Sequence, residues 1–192
     1  AVVLVGHKGK IVFRKAYGNR SLVPTIEPMT VDTIFDLASL TKPIATATSI
    51  MILVEQGKLR LNDTIGKYIP EIQDESAKKV TIQQLLTHVS GYAPDFDLRE
   101  KWTGREGMLQ ALNKEKLRTP PGTKFVYSDI NFIVLGEILS RIEKSDLLNF
   151  FCQNVAPPLG MKHSGFVERT FSIDGHDCQS DIIDFNRITA PT

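Results

Sequence analysis

The chain has 192 residues, with 23 Lys and Arg against 22 Asp and Glu, for a formal charge of +1. A balance that near neutrality argues against a nucleic-acid groove or an anionic membrane surface as the main partner. Apolar residues make up 42% and charged residues 23%, ordinary globular proportions that exclude a disordered tail, a collagen-like chain and a coiled coil.

The N-terminus, Ala1-Val2-Val3-Leu4-Val5-Gly6, lacks the basic start and small-residue cleavage site of a signal peptide. It reads as a strand that begins abruptly. Residues 1–5 and 11–17 are β-branched and aromatic runs separated by His7-Lys8-Gly9-Lys10, a hairpin signal with Gly9 supplying the turn. In the second run Ile11, Phe13 and Tyr17 alternate with Val12, Arg14 and Ala16, which predicts one face more buried than the other. Loop chemistry follows through Pro24 and Pro28. The longest apolar stretches, residues 50–54 and 132–135, are far too short to cross a bilayer.

Residues 44–56 are apolar nearly all round at helical spacing, and Gly57 stops them, so this helix is expected in the middle of a domain. Pro43 suits a first helical turn but disfavours helical geometry at Lys42, and the conflict is eased if the helix starts close to Ser39. Residues 81–87 form a short amphipathic helix with Thr81 as N-cap, followed by the turn His88-Val89-Ser90-Gly91-Tyr92. Helices are expected over 105–113, 128–141 and 147–151. Pro120-Pro121-Gly122 and Pro157-Pro158 interrupt the chain, and no strong period follows Phe166. The reading is an α+β fold in which an antiparallel sheet packs with helices: strands over 1–20, a mainly helical lobe over 36–165, and an irregular stretch over 166–192.

The chemistry concentrates at Ser39-Leu40-Thr41-Lys42. Residues three apart share a helix face, so Ser39 and Lys42 meet. A Ser hydroxyl is a poor nucleophile until a base takes its proton. A Lys amine serves only if partly neutral, and burial beneath an apolar lobe favours the neutral form. The spacing alone also fits a helix cap beside a surface Lys. Tyr127-Ser128-Asp129 adds a second piece. A Tyr hydroxyl near a Lys can relay a proton. Asp129 could anchor Lys42, cap the following helix, or do both.

Taken together, Phe35-Asp36-Leu37-Ala38-Ser39-Leu40-Thr41-Lys42-Pro43 resembles the nucleophile segment of the serine β-lactamase-related family: class C β-lactamases, D-alanyl-D-alanine peptidases and esterases of the same fold. Leu85-Leu86-Thr87-His88-Val89-Ser90-Gly91, Tyr127-Ser128-Asp129 and Leu159-Gly160-Met161 resemble three further landmarks, in family order. The resemblance implies a β-lactamase/transpeptidase-like fold and an acyl-enzyme mechanism without a cofactor. Ser39 would be the nucleophile, Lys42 its activator, and Tyr127 the general base and then acid. The Ser39 N–H would be one oxyanion donor. Asp129, assigned to substrate binding, stands where the family usually has Asn. An ionised Asp only accepts hydrogen bonds, which shifts expectation from amides toward esters. Trp102 lies where relatives place a wall of the substrate cleft, and is taken as a second substrate-binding residue.

The family's third motif, K-T-G or H-x-G on a downstream strand, has only a literal match, His163-Ser164-Gly165. That match follows Leu159-Gly160-Met161 too closely to be the motif. The expectation is therefore a chain lacking the fold's C-terminal third and its first helix, with another copy of the chain as one way to complete the sheet. The partner is a small ester or β-lactam-like molecule. The alternatives are a D-alanyl-D-alanine carboxypeptidase and an inactive fragment or binding module. His88 is read as a structural turn residue, since no G-x-S-x-G elbow accompanies it. Asp174, His176, Asp177, Cys178 and Asp181 lack metal-ligand spacing and read as a solvated loop. Cys152 and Cys178 read as two reduced thiols, with no disulfide framework, and localisation stays open.

Overall fold

In the computed structural model, β1 (Val2–His7) pairs antiparallel with β2 (Lys10–Ala16). The turn between them holds Lys8 at φ 48° and Gly9 at φ 74°. Two consecutive positive φ values match the twist of a tight hairpin, and Gly9 adopts its value without strain. The structure describes residues 1–97, 99, 102–162 and 164–166, together with the backbone of two later strands. The expected burial of one hairpin face does not hold. Ile11 is 53% exposed and Val12, on the opposite face, 61%, because among the described residues β1 and β2 pack chiefly on each other. A second small ladder joins β3 (Asn19–Ser21) to β4 (Glu27–Pro28).

The helical lobe is built around its buried helices. The nucleophile segment enters as one 3₁₀ turn, Ala38–Leu40, then a wide π-type stretch, Lys42–Ala47, and then α1 (Thr48–Glu55). The helix thus starts beside Ser39, as the sequence suggested, but in three geometries. Pro43 supplies no N–H, and its carbonyl is taken by the Thr48 hydroxyl at 2.9 Å. Such π-type turns are rare, and frequent at functional sites when they do occur.

Short helices α2 (Ile65–Tyr68), α3 (Glu75–Lys78) and α4 (Ile82–Leu86) follow. Helix α4 begins with a capping box: the Gln84 N–H donates to Thr81 Oγ1 at 3.2 Å, and the Thr81 N–H donates to Gln84 Oε1 at 3.0 Å. Then come α5 (Gly104–Lys114), α6 (Asp129–Glu143) and α7 (Leu147–Asn154). Helix α6 is the axis of the core. Ile130, Val134, Leu135, Ile138 and Leu139 are all fully buried and share one core cluster with Ile50 and Leu53 of α1, Leu85 of α4 and Leu112 of α5. Each such side chain contributes about 1.5–3 kcal/mol of transfer free energy.

The one buried acid on α6, Glu137, is held by a bidentate pair from Arg105 and a second pair from Arg141. Its buried oxygens are therefore hydrogen-bonded rather than left unpaired among apolar neighbours. A smaller cluster of Ala45, Phe151, Val155 and Ala156 fixes α7 beneath the π-type stretch.

The stretch after Phe166, which shows no clear period in sequence, contains a hairpin of β5 (Thr170–Ile173) and β6 (His176–Gln179). His163, Asp174 and Asp181 lie outside the described residues, as do the side chains of His176, Asp177 and Cys178. Cys152 is exposed and free. Among the described residues no helix is long and apolar enough to cross a membrane.

Candidate active site

Three separate chain segments converge at the start of the helical lobe. The first carries Ser39. The residue before it, Ala38, has φ 42°, an unusual value for a residue with a Cβ, and its N–H donates to Asp36 Oδ1 at 2.7 Å. Left-handed backbone at a non-glycine costs of order 1–3 kcal/mol and concentrates at functional sites. The bend leaves Ser39 exposed one turn before Lys42, and Lys42 Nζ donates to Ser39 Oγ at 3.3 Å.

The second segment is the turn after α4. His88 sits at φ 59° and Gly91 at φ 92°. A Cβ on Gly91 would lie 2.2 Å from the Thr119 carbonyl oxygen, so only glycine allows this approach. Residues 117–126 are laced to the turn by three backbone bonds. Arg118 N–H donates to the Gly91 carbonyl at 2.8 Å, Gly122 N–H to that of Val89 at 2.7 Å, and Val126 N–H to that of His88 at 2.9 Å.

The third segment, Tyr127-Ser128-Asp129, is thereby delivered to the same place. Ser128 Oγ donates to the Ala93 carbonyl at 2.6 Å, and Asp129 N–H to that of Pro94 at 2.7 Å. Buried Asn131 completes the seam. It donates to the Leu85 carbonyl at 3.1 Å and accepts the Ser90 hydroxyl at 2.6 Å.

Asp129 forms an ion pair with Lys42 at 2.6 Å, with the lysine side chain 14% exposed and the carboxylate 47%. Of the two roles open to Asp129, anchoring Lys42 is the one seen. The helix N-cap is Ser128, whose side chain makes no capping bond. The Lys42 ammonium lies 5.0 Å from the centre of the Tyr127 ring and 5.8 Å from that of Phe132, both within cation–π range. Tyr127 itself is 46% exposed, open to an arriving substrate.

The charge state of Lys42 departs from the expectation of a dry, partly neutral amine. Burial does favour the neutral form. Asp129 and then Tyr127 outweigh it and raise the Lys42 pKa above its ordinary 10.5. Lys42 is an ammonium at neutral pH, holding Ser39 Oγ as a hydrogen-bond donor.

Trp102 is brought elsewhere. It is half-buried, edge-on to Phe96 at 5.5 Å and packed on the main core. Among the described residues it makes no hydrogen bond or ring contact with Ser39, Lys42 or Tyr127. Asp95, which the sequence did not single out, stands half-buried on the 91–96 loop. Burial first, and the nearby Asp129 charge in addition, push its carboxyl pKa up. The available signal was its place one residue after Pro94, on the loop that binds the Tyr127 segment.

Residues 1–172 match the family model described as Beta-lactamase, and the chain belongs to that family. It is 31% identical over 167 residues to a protein of Salmonella paratyphi A named "Putative D-alanyl-D-alanine carboxypeptidase", an alignment covering 80% of this chain and 39% of the relative. The chain thus spans well under half the length of the curated relatives it matches. A solved class C beta-lactamase superposes with a TM-score of 0.76 at 23% identity, over 98% of this chain and 55% of that one. EstCE1, described as a hydrolase with promiscuous acyltransferase activity, superposes with a TM-score of 0.74 at 24% identity, over 99% of this chain and 58% of the other. These likenesses show the fold: helices with small antiparallel sheets in the β-lactamase arrangement, of which this chain carries a part.

Proposed function

We propose that the protein is a serine hydrolase that forms an acyl-enzyme at Ser39 and acts on small esters. The observation that carries this reading is the convergence of Ser39 Oγ, Lys42 Nζ and Asp129 Oδ1 at 3.3 and 2.6 Å, beneath the Tyr127 ring. An ammonium has no lone pair and cannot take the serine proton. Tyr127 therefore serves as the base, with the Lys42 charge beside its ring.

Ser39 Oγ attacks the ester carbonyl carbon as its proton passes to the Tyr127 oxygen. The bond to the leaving alkoxide then breaks, and Tyr127 returns the proton to that oxygen. Water attacks the acyl-enzyme by the reverse relay, releasing the acid and restoring the Ser39 hydroxyl. Ser39 lies in the first turn of its 3₁₀ segment, where an N–H has no intrahelical partner. That N–H is the oxyanion donor.

Asp129 favours esters. Its carboxylate, committed to Lys42, offers no donor to an amide carbonyl and repels the carboxylate shared by β-lactams and D-alanyl-D-alanine peptides. The similarity to a protein named for carboxypeptidase action supports the competing peptide reading. A chromogenic short-chain ester, a chromogenic cephalosporin and a D-alanyl-D-alanine peptide separate the three. Faster turnover of the ester, lost in Ser39→Ala, supports the proposal. Preference for either other substrate overturns the ester assignment.

A further inference from the structure

His88 stands at the junction of everything that fixes Tyr127. Its ring stacks on the Tyr127 ring, with centroids 4.5 Å apart and planes inclined by 29°. Phe125 meets the imidazole edge-on at 5.8 Å, and Phe132 lies 5.2 Å away. The ring is thus clamped within an aromatic cluster. Its Nδ1 accepts the backbone N–H of Ser128, the residue immediately after Tyr127, at 3.0 Å. The Asn131 amide nitrogen stands 3.5 Å from the same atom. With an N–H pointing at it, Nδ1 carries the lone pair, and the neutral ring bears its proton on Nε2. The His88 carbonyl accepts the N–H of Val126, immediately before Tyr127. One residue therefore holds the backbone on both sides of the phenol and supports the ring itself.

A helix-end turn needs none of this. Asn or Gly would adopt φ 59° at least as readily as histidine. The aromatic face and the acceptor both point to the phenol.

We propose that His88 is a positioning residue for Tyr127: its imidazole face and its Nδ1 together hold the phenol over Lys42 in the orientation that proton transfer from Ser39 requires. This rests on the reading of Tyr127 as proton carrier. The charged and titratable groups facing the ring are the Lys42 ammonium, the Asp129 carboxylate and the Tyr127 phenol. Burial first, and Lys42 next, hold the imidazole pKa below its ordinary 6.5, with Asp129 opposing. Acidification would add a proton to Nδ1, set it against the Ser128 N–H, and place a second cation beside Lys42. The wild-type reaction then falls away on the acid side.

The test is His88→Asn. Asn Oδ1 can accept the Ser128 N–H and Asn tolerates the positive φ, but the ring face is lost. Labelling of Ser39 by a fluorophosphonate is expected to slow about 100-fold, the scale of a one-ångström misplacement, and to lose its acid limb while the fold persists by circular dichroism. Labelling within twofold of wild type with an unchanged pH profile would overturn the proposal.

Two NMR measurements stand apart from activity. ¹⁵N spectra of the wild-type imidazole at pH 7 should show an unprotonated Nδ1, with cross-peaks between the His88 and Tyr127 rings. A protonated Nδ1 or absent cross-peaks would overturn the proposal even if the variant does not fold. Should wild-type Ser39 not label at all, the acyl-enzyme reading fails by itself. The positioning role is then decided by the Tyr127 ¹³Cζ resonance, whose titration must change in His88→Asn. An unchanged titration would overturn it.

Discussion

Asp129→Asn removes a full charge 2.6 Å from Lys42 Nζ. At that separation the Coulomb attraction is about 1.6 kcal/mol at the permittivity of water and about 6 kcal/mol at an effective value of 20. The carboxylate is 47% exposed while the lysine is 14% exposed, so solvent screens the pair from one side and the lower figure applies, about 1–2 kcal/mol. That free energy favours the ammonium, and every 1.4 kcal/mol is about a factor of ten in the protonation equilibrium. The substitution should lower the Lys42 pKa and raise the neutral fraction at a given alkaline pH about tenfold.

The stability effect has a defined sign. The folded pKa lies above the ordinary 10.5, so the pair's contribution is fully present below 10.5. It is lost as pH rises through the folded value. The stability gap between wild type and Asp129→Asn should therefore narrow above pH 10.5. The assay is ¹⁵Nζ NMR of Lys42 across the alkaline range, with urea unfolding at neutral and alkaline pH alongside. A Lys42 titration unmoved or displaced upward in the variant would refute the assignment of its charge to Asp129.

Tyr127→Phe removes the proton carrier but keeps the ring on which His88 stacks, and should slow acylation of Ser39 about 10²–10⁴-fold with Tm unchanged, read by stopped-flow labelling. Leu135→Ala, at a fully buried position at the centre of α6, should cost about 2–5 kcal/mol in urea unfolding. A loss under 1 kcal/mol would mean that α6 is not the axis of the core.

Local signals were the most legible part of the sequence. Gly9 at the hairpin turn, the Thr81 cap and the start of the long helix next to Tyr127 depend on a few neighbouring residues, and each appears where expected. Ser39 and Lys42 meet because residues three apart meet on any helical turn, even when it changes from 3₁₀ to π geometry. The charge on Lys42 was not legible, because it is set by Asp129, which arrives from a distant segment through the Gly91 approach to Thr119 and the seam of Asn131. The two-sided exposure of Ile11 and Val12 was hidden for the same reason: alternation shows which residues share a face, not what covers it. The landmark around His88 marked a turn, but nothing in that stretch shows its ring stacked on Tyr127, which comes from a distant segment. Trp102, placed by sequence at a cleft wall, packs edge-on against Phe96, a contact that no local pattern announces.

The central claim is that Ser39 is the nucleophile. Intact-mass spectrometry of the protein before and after a fluorophosphonate, with peptide mapping, addresses it directly. A single adduct on Ser39 is expected, absent in Ser39→Ala and strongly slowed in Tyr127→Phe. No mass change in the folded wild-type protein, or an adduct that persists in Ser39→Ala, would contradict it.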